Sequence, residues 1–222
     1  MATADKTERE IARHIARVAA RLFAERGYHA TPVRVIVEEA GVAKPTLYHY
    51  FGSKEGLAQA VLTVPLARLI DSLRALLDEP ADPLRRLVAM AEAYLDFSRE
   101  DPDRARFVHG LFFGPKGPGP AAELVQFADS LEHLFAAAVG RATEVGLVAP
   151  EQGDACTTAL RGLLAIHVMD FLYQGRELGP DLASRLVRDL TRGFGQPAAR
   201  RAVGRATWGP DGALEKERLG VA

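Results

Sequence analysis

An all-α chain is predicted, and three observations predict it. Apolar residues recur at helical spacing almost from end to end, alternating strand patterns are nearly absent, and the breaks between segments carry helix-ending glycines and helix-starting Thr or Asp before proline. Ile11, Ile15, Val18, Ala19, Leu22 and Phe23 make the first stripe, with Gly27 just past its end. Thr31-Pro32 reads as an N-cap followed by proline at the first helical position, opening a short helix through Val33, Ile36, Val37 and Ala40. Gly41 stops it, and a third short helix runs from Lys44 to Phe51. Ser53 caps a fourth through Leu57, Val61 and Leu62, in which Pro65 removes one backbone hydrogen bond and predicts a kink.

Asp82-Pro83 and Asp101-Pro102 open the next two helices, which carry Leu84, Leu87, Val88, Tyr94 and Leu95, then Phe107, Val108, Leu111 and Phe112. GPKGPGP at 114–120 is a connector. A long helix with Leu124, Phe127, Leu131, Leu134, Phe135 and Ala138 follows and ends at Gly146. Another starts near Pro150 and runs to about Gln174; the last carries Leu182, Leu186, Leu190 and Phe194. From Gly195 the chain is rich in Gly, Ala and Arg and reads as a loose tail in which 213–219 can form a short helix.

Composition limits the function classes. Of the 222 residues, 48% are hydrophobic and 26% charged, as in an ordinary globular protein. Net charge is −1, so any contact with nucleic acid is a local patch rather than a property of the whole molecule. The single cysteine, Cys156, rules out an internal disulfide and fits a reducing compartment. No signal peptide and no membrane-spanning run are expected, and the location expected is cytoplasmic.

The stretch GVAKPTLYHYFGSKEGL, 41–57, is chemically unlike a packing helix. Two short helices meeting at Gly41 fit a helix-turn-helix, whose second helix enters the major groove. Leu47 and Phe51, four residues apart, supply an apolar side that holds that helix on its partner. Lys44 can donate to guanine, while the Pro45 ring and the Thr46 methyl can touch a thymine methyl. Tyr48, His49 and Tyr50 offer donors to phosphate oxygens. Lys54 and the helix starts at Thr31 and Ser53 are further anion-friendly points. Arg34 reads equally as a phosphate contact or a solvated helix residue.

AARLFAERGYHATPVRVIVEEAGVAKPTLYHYFGSKEGL resembles the N-terminal domain of the TetR family of bacterial transcriptional regulators. The resemblance covers about residues 10–57 and includes Leu-Phe-x-x-x-Gly-Tyr, Ala-Gly-Val at the turn and Leu-Tyr-x-Tyr-Phe-x-Ser-Lys-Glu after it. It implies Lys44, Pro45 and Tyr48 as base readers, and Thr31, Thr46, His49, Tyr50 and Lys54 as phosphate contacts. Val37 departs from the alanine usual in the family, and its extra methyls are expected to widen or tilt the helix crossing. The expected architecture is an N-terminal three-helix helix-turn-helix DNA-binding domain (1–56), joined by a long helix to a larger helical ligand-binding and dimerisation domain (57–195), with the tail at 196–222. The expected partners are a palindromic DNA operator, a small apolar effector and a second copy of the chain. The expected mode is repression relieved by the effector.

Beyond that segment the signals are weaker. Met90, Tyr94, Phe97, Phe107, His109, Phe112, Phe127, His133, His167 and Phe171 include core residues and candidates for the wall of an effector cavity. Ala159, Gly162, Leu163 and Ile166, with Leu186 and Leu190, form a small-and-apolar face suited to an intersubunit four-helix bundle. His167 and Asp170 share a helix face but fall short of a metal set, and Cys156 has no local base. No metal, cofactor or catalytic constellation is expected. The rival reading is a helical binding protein or enzyme whose N-terminal helices are only structural.

Overall fold

The computed structural model describes residues 2–113 and 121–194. The connector at 114–120 and the tail with its expected helix at 213–219 lie outside the described residues. Nine α-helices are present among them: α1 (Ala2–Arg26), α2 (Val33–Ala40), α3 (Lys44–Phe51), α4 (Lys54–Asp78), α5 (Pro83–Glu100), α6 (Pro102–Phe113), α7 (Ala121–Glu144), α8 (Gly153–Gln174) and α9 (Leu182–Phe194). The chain is all-α. A short 3-10 turn, Pro150–Gln152, precedes α8.

The expected punctuation sits where the backbone needs it. Asp82 Oδ1 accepts the N–H groups of Leu84 and Arg85, and Asp101 Oδ1 accepts that of Arg104, so both aspartates cap the helices that their prolines open. Gly27 and Gly146 end α1 and α7 at φ 82° and 75°, in the left-handed region that glycine tolerates. One boundary differs. Pro32 rather than Thr31 is the N-cap of α2, without a side-chain cap.

The chain forms two compact units, Met1–Arg68 with Glu100–Ala128, and Leu69–Arg99 with Asp129–Ala222. Position 56/57, where a functional boundary is expected, lies in the first turn of α4, a helix that includes Pro65. In the first unit α1 packs on α2, α3 and α6. Ile15, Leu22, Phe23, Ile36, Leu47 and Leu57 are buried there, and the Phe23 ring lies 4.9 Å from that of Phe107. In the second unit Leu73, Leu84, Leu87, Met90, Phe135 and Val168 are fully buried. Each such side chain contributes about 1.5–3 kcal/mol relative to exposure.

α8 is apolar for a reason specific to it. Pro150–Gln174 is long and apolar enough to cross a membrane by length and composition alone, contrary to the sequence expectation. Its Cys156, Leu160, Leu164, Val168 and Leu172 face packs into the second unit, while Gly162, Ile166 and Tyr173 lie exposed on another face. Two apolar faces, one of them uncovered, raise its hydropathy.

Candidate nucleic-acid interface

The site begins with how α2 and α3 are held. Gly41 caps α2 at φ 63°, ψ 32°, and the Val42 N–H donates to Val37 O at 3.0 Å, closing the turn. A side chain at Gly41 would be strained in that backbone. Val37 is buried in the seam with Ile36 and Ala40, and the turn closes around it with ordinary hydrogen bonds. α1 steadies α2 from one side: Arg21 pairs with Glu39, and His14 Nε2 lies 3.1 Å from Ala40 O.

α3 is anchored through one residue. Leu47 has no exposed surface, whereas Phe51, expected beside it in the core, is only half-buried. Lys44, Pro45, Tyr48 and His49 are exposed, and Thr46 and Tyr50 are half-buried. Tyr48 is 40% exposed, and the Lys44 ammonium lies 5.7 Å from its ring centroid, within cation–π range. The His49 and Tyr50 rings meet edge-on at 5.1 Å. No side chain caps the start of α3, so its amino end remains electropositive. The exposed side of α3 therefore offers a cation, hydroxyl and imidazole donors, and a proline ring at one level.

Residues assigned to phosphate contacts divide in the structure. Thr31 is corrected: its side chain is fully buried, and its hydroxyl donates to Gly27 O at 2.8 Å and Leu22 O at 3.2 Å. It closes the end of α1 and has no reach to a phosphate. Lys54 turns inward, donating to Tyr28 O and lying 4.3 Å from the Tyr28 ring centroid; burial lowers its pKa, with Glu55 opposing. Tyr28 in turn donates to Glu55 Oε1 at 3.0 Å. Burial first, then that bond, raises the Tyr28 hydroxyl to about 12, and hydrogen bonds lower the Glu55 pKa. Arg34 is exposed and pairs with Glu38 one turn away.

Sequence reasoning missed Gly56. Ser53 caps α4 as expected, its hydroxyl accepting the Gly56 N–H at 2.9 Å. A Cβ at Gly56 would lie 2.1 Å from Phe51 O, the backbone at the end of α3. Glycine inside the first turn of a helix was the signal. It lets α4 touch α3 and fixes the pose of the exposed face.

The sequence signature described as bacterial regulatory proteins, tetR family, matches residues 15–61, from the middle of α1 into the first turns of α4. That segment is similar to the N-terminal domain of the TetR family. The activator FasR of Mycolicibacterium smegmatis is 39% identical over 90 residues, 40% of this chain and 41% of that protein. The repressor KstR2 of Mycobacterium tuberculosis is 44% identical over 70 residues, 32% of this chain and 35% of that one. This chain thus matches well under two thirds of the length of either. The solved TetR-family regulator PfmR of Thermus thermophilus is 26% identical, with a TM-score of 0.63 over 80% of this chain and 94% of its own.

Outside the TetR-type domain the assigned residues scatter. Phe107, His109, Phe112 and Phe127 belong to the first unit, and Met90, Tyr94, Phe97, His133, His167 and Phe171 to the second. Three are corrected as cavity wall. Phe107 is core against Phe23, Phe112 is exposed at the end of α6, and His133 is exposed with Nδ1 bonded to Asp129 O in its own helix. Burial lowers the His109 pKa, and it raises the Tyr94 hydroxyl to about 12 with Arg161 opposing. Burial also pushes the Cys156 thiol to about 11, which leaves it unreactive. Asp170 pairs with Arg176. No group of three His, Cys, Asp or Glu able to hold a metal occurs among the described residues.

The proposed dimer face is corrected in part. Leu186 and Leu190 are 9% and 8% exposed and belong to their own unit's core. The outer face of α9 carries Arg185, Asp189 and Arg192 instead. Ala159 and Leu163 are half-buried, while Gly162 is exposed and Ile166 is 54% exposed, with Tyr173 further along α8 equally open.

Proposed function

We propose that the chain is a ligand-responsive, homodimeric transcriptional repressor of the TetR type, acting on a palindromic operator in the cytoplasm and carrying out no catalysis. The observation that carries this reading is α3, where Leu47 is fully buried while Lys44, Pro45, Tyr48 and His49 stand exposed together. Such a helix has one side to hold it and another to meet base edges and phosphates. Lys44 and Tyr48 read bases, with Pro45 against a thymine methyl; Thr46, His49, Tyr50 and Arg34 serve the backbone.

Residues 1–56 bind DNA, and 57–195 bind the effector and the second copy. One helix-turn-helix reads few base pairs, so two copies place recognition helices about 34–36 Å apart or a multiple of that. The exposed stripe of Gly162, Ile166 and Tyr173 on α8 is the surface by which they pair. Met90, Tyr94, Phe97, His167 and Phe171 surround the effector. FasR is named an activator and KstR2 a repressor, so relatives alone do not give the sign. A gel shift with the DNA upstream of the protein's own coding sequence tests binding, and a reporter from that promoter tests the sign. The proposal expects a retarded band lost with Lys44→Ala/Tyr48→Ala, and higher reporter output without the protein. Absence of any shift overturns DNA binding, and lower output without the protein overturns repression.

A further inference from the structure

Within the first unit, α1, α4 and the start of α6 border an open concavity of about 250 Å³. Its charge is lopsided. Arg13 and Arg17 of α1 and Arg104 of α6 line it, against one carboxylate, Asp101. That carboxylate is already engaged, because Asp101 Oδ1 accepts the Arg104 backbone N–H at 3.0 Å as the cap of α6. Arg13 and Arg17 are exposed, and neither pairs with a carboxylate among the described residues. The Arg104 side chain is 14% exposed, and its guanidinium lies 3.8 Å from Asp101 and 3.9 Å from Glu100. The rest of the wall is apolar: Ala20, Val61 and Pro65 are among its residues.

Three arginines line this concavity against the carboxylates of Asp101 and Glu100, which leaves it with excess positive charge beside an apolar floor. Guanidinium forks match carboxylate and phosphate oxygens in pairs. The space lies below the range of drug-sized pockets, which limits the occupant to a short molecule. We infer that this concavity binds a small organic anion, a carboxylate or phosphate monoester on a short apolar stem, with the head on Arg13, Arg17 and Arg104 and the stem against Val61 and Pro65. The concavity shares no residue with the proposed effector wall or with the recognition helix, so it can be tested independently of them. Burial lowers the Arg104 pKa, with Asp101 and Glu100 opposing, and a bound anion would offset that cost.

The test is calorimetric titration of the full chain, without DNA, using hexanoate, butyl phosphate and inorganic phosphate. Binding by hexanoate or butyl phosphate supports the site, and whichever binds more tightly identifies the head group. Inorganic phosphate, lacking a stem, should bind about tenfold more weakly. Arg13→Ala/Arg17→Ala changes only exposed residues and should weaken binding by at least about tenfold. Arg17→Lys should recover part of the loss, as a point charge replacing a fork. Arg185→Ala/Arg192→Ala on α9 should change nothing. No binding by either organic anion overturns the inference. So does equal binding by the Arg13→Ala/Arg17→Ala protein, or equal weakening by the α9 pair.

Discussion

Gly162, Ile166 and Tyr173 on α8 and the Lys44–Tyr50 face of α3 are both exposed, yet they are exposed for different reasons. α3 shows polar, stiff donors around one buried leucine, so its chemistry names its partner class. α8 shows apolar surface of the kind its own core would accept, so its sequence does not say which side is inside. Exposure becomes informative when it contradicts composition, as at Tyr48, and nearly silent when composition fits either side of a helix.

The largest expected effect separates the two kinds of apolar residue in the second unit. Leu190→Ala should cost about 2–5 kcal/mol of stability, because Leu190 lies in its own unit's core. Ile166→Arg should leave the fold intact and shift the protein to monomer, as read by thermal unfolding and sedimentation. A stable Leu190→Ala monomer would return Leu190 to the interface.

Gly56→Ala comes next. Its Cβ would sit 2.1 Å from Phe51 O, so an overpacking cost of about 1–3 kcal/mol is expected, together with weakened operator binding. A variant with unchanged melting and affinity would show that α3 and α4 do not need that contact. Lys44→Ala should cost about 1–3 kcal/mol at one symmetric operator position while leaving stability alone. Operators selected from random DNA with an unchanged motif would remove Lys44 from base reading.

Lys54 tests the line between interface and framework. Its bond to Tyr28 O and its place over the Tyr28 ring predict that Lys54→Ala lowers stability by about 1 kcal/mol. Unchanged melting with a salt slope reduced by about one would restore a phosphate role. The smallest effect is on pH. The Tyr28 hydroxyl titrates at about 12 in the folded chain and about 10 unfolded. Its contribution is therefore complete below pH 10 and lost as pH rises towards 12. Tyr28→Phe should flatten the unfolding profile in that window, and an unchanged profile would assign the alkaline loss to other groups.

Much of the fold was legible, because helix ends carry local chemistry. Asp82, Asp101 and Ser53 cap the helices they precede, and Gly27, Gly41 and Gly146 take the backbone that glycine permits. The exposed side of α3 was legible too, since only Leu47 and Phe51 among its residues read as apolar anchors, although Phe51 is only half-buried. Thr31 and Lys54 were not. Both look like surface donors in sequence, and only the packed domain shows their donors already used by Gly27 O, Leu22 O and Tyr28 O. Leu186 and Leu190 failed for a related reason: period 3.6 identifies a buried stripe without saying which molecule buries it.

Pro65 leaves its mark on how α4 opens. Proline has no N–H to donate to Val61 O, so the ladder of this 25-residue helix is interrupted once. The division between the compact units falls just beyond, between Arg68 and Leu69. Amide hydrogen exchange along α4 should therefore occur in two blocks with separate opening free energies, one for residues before Pro65 and one for those after it.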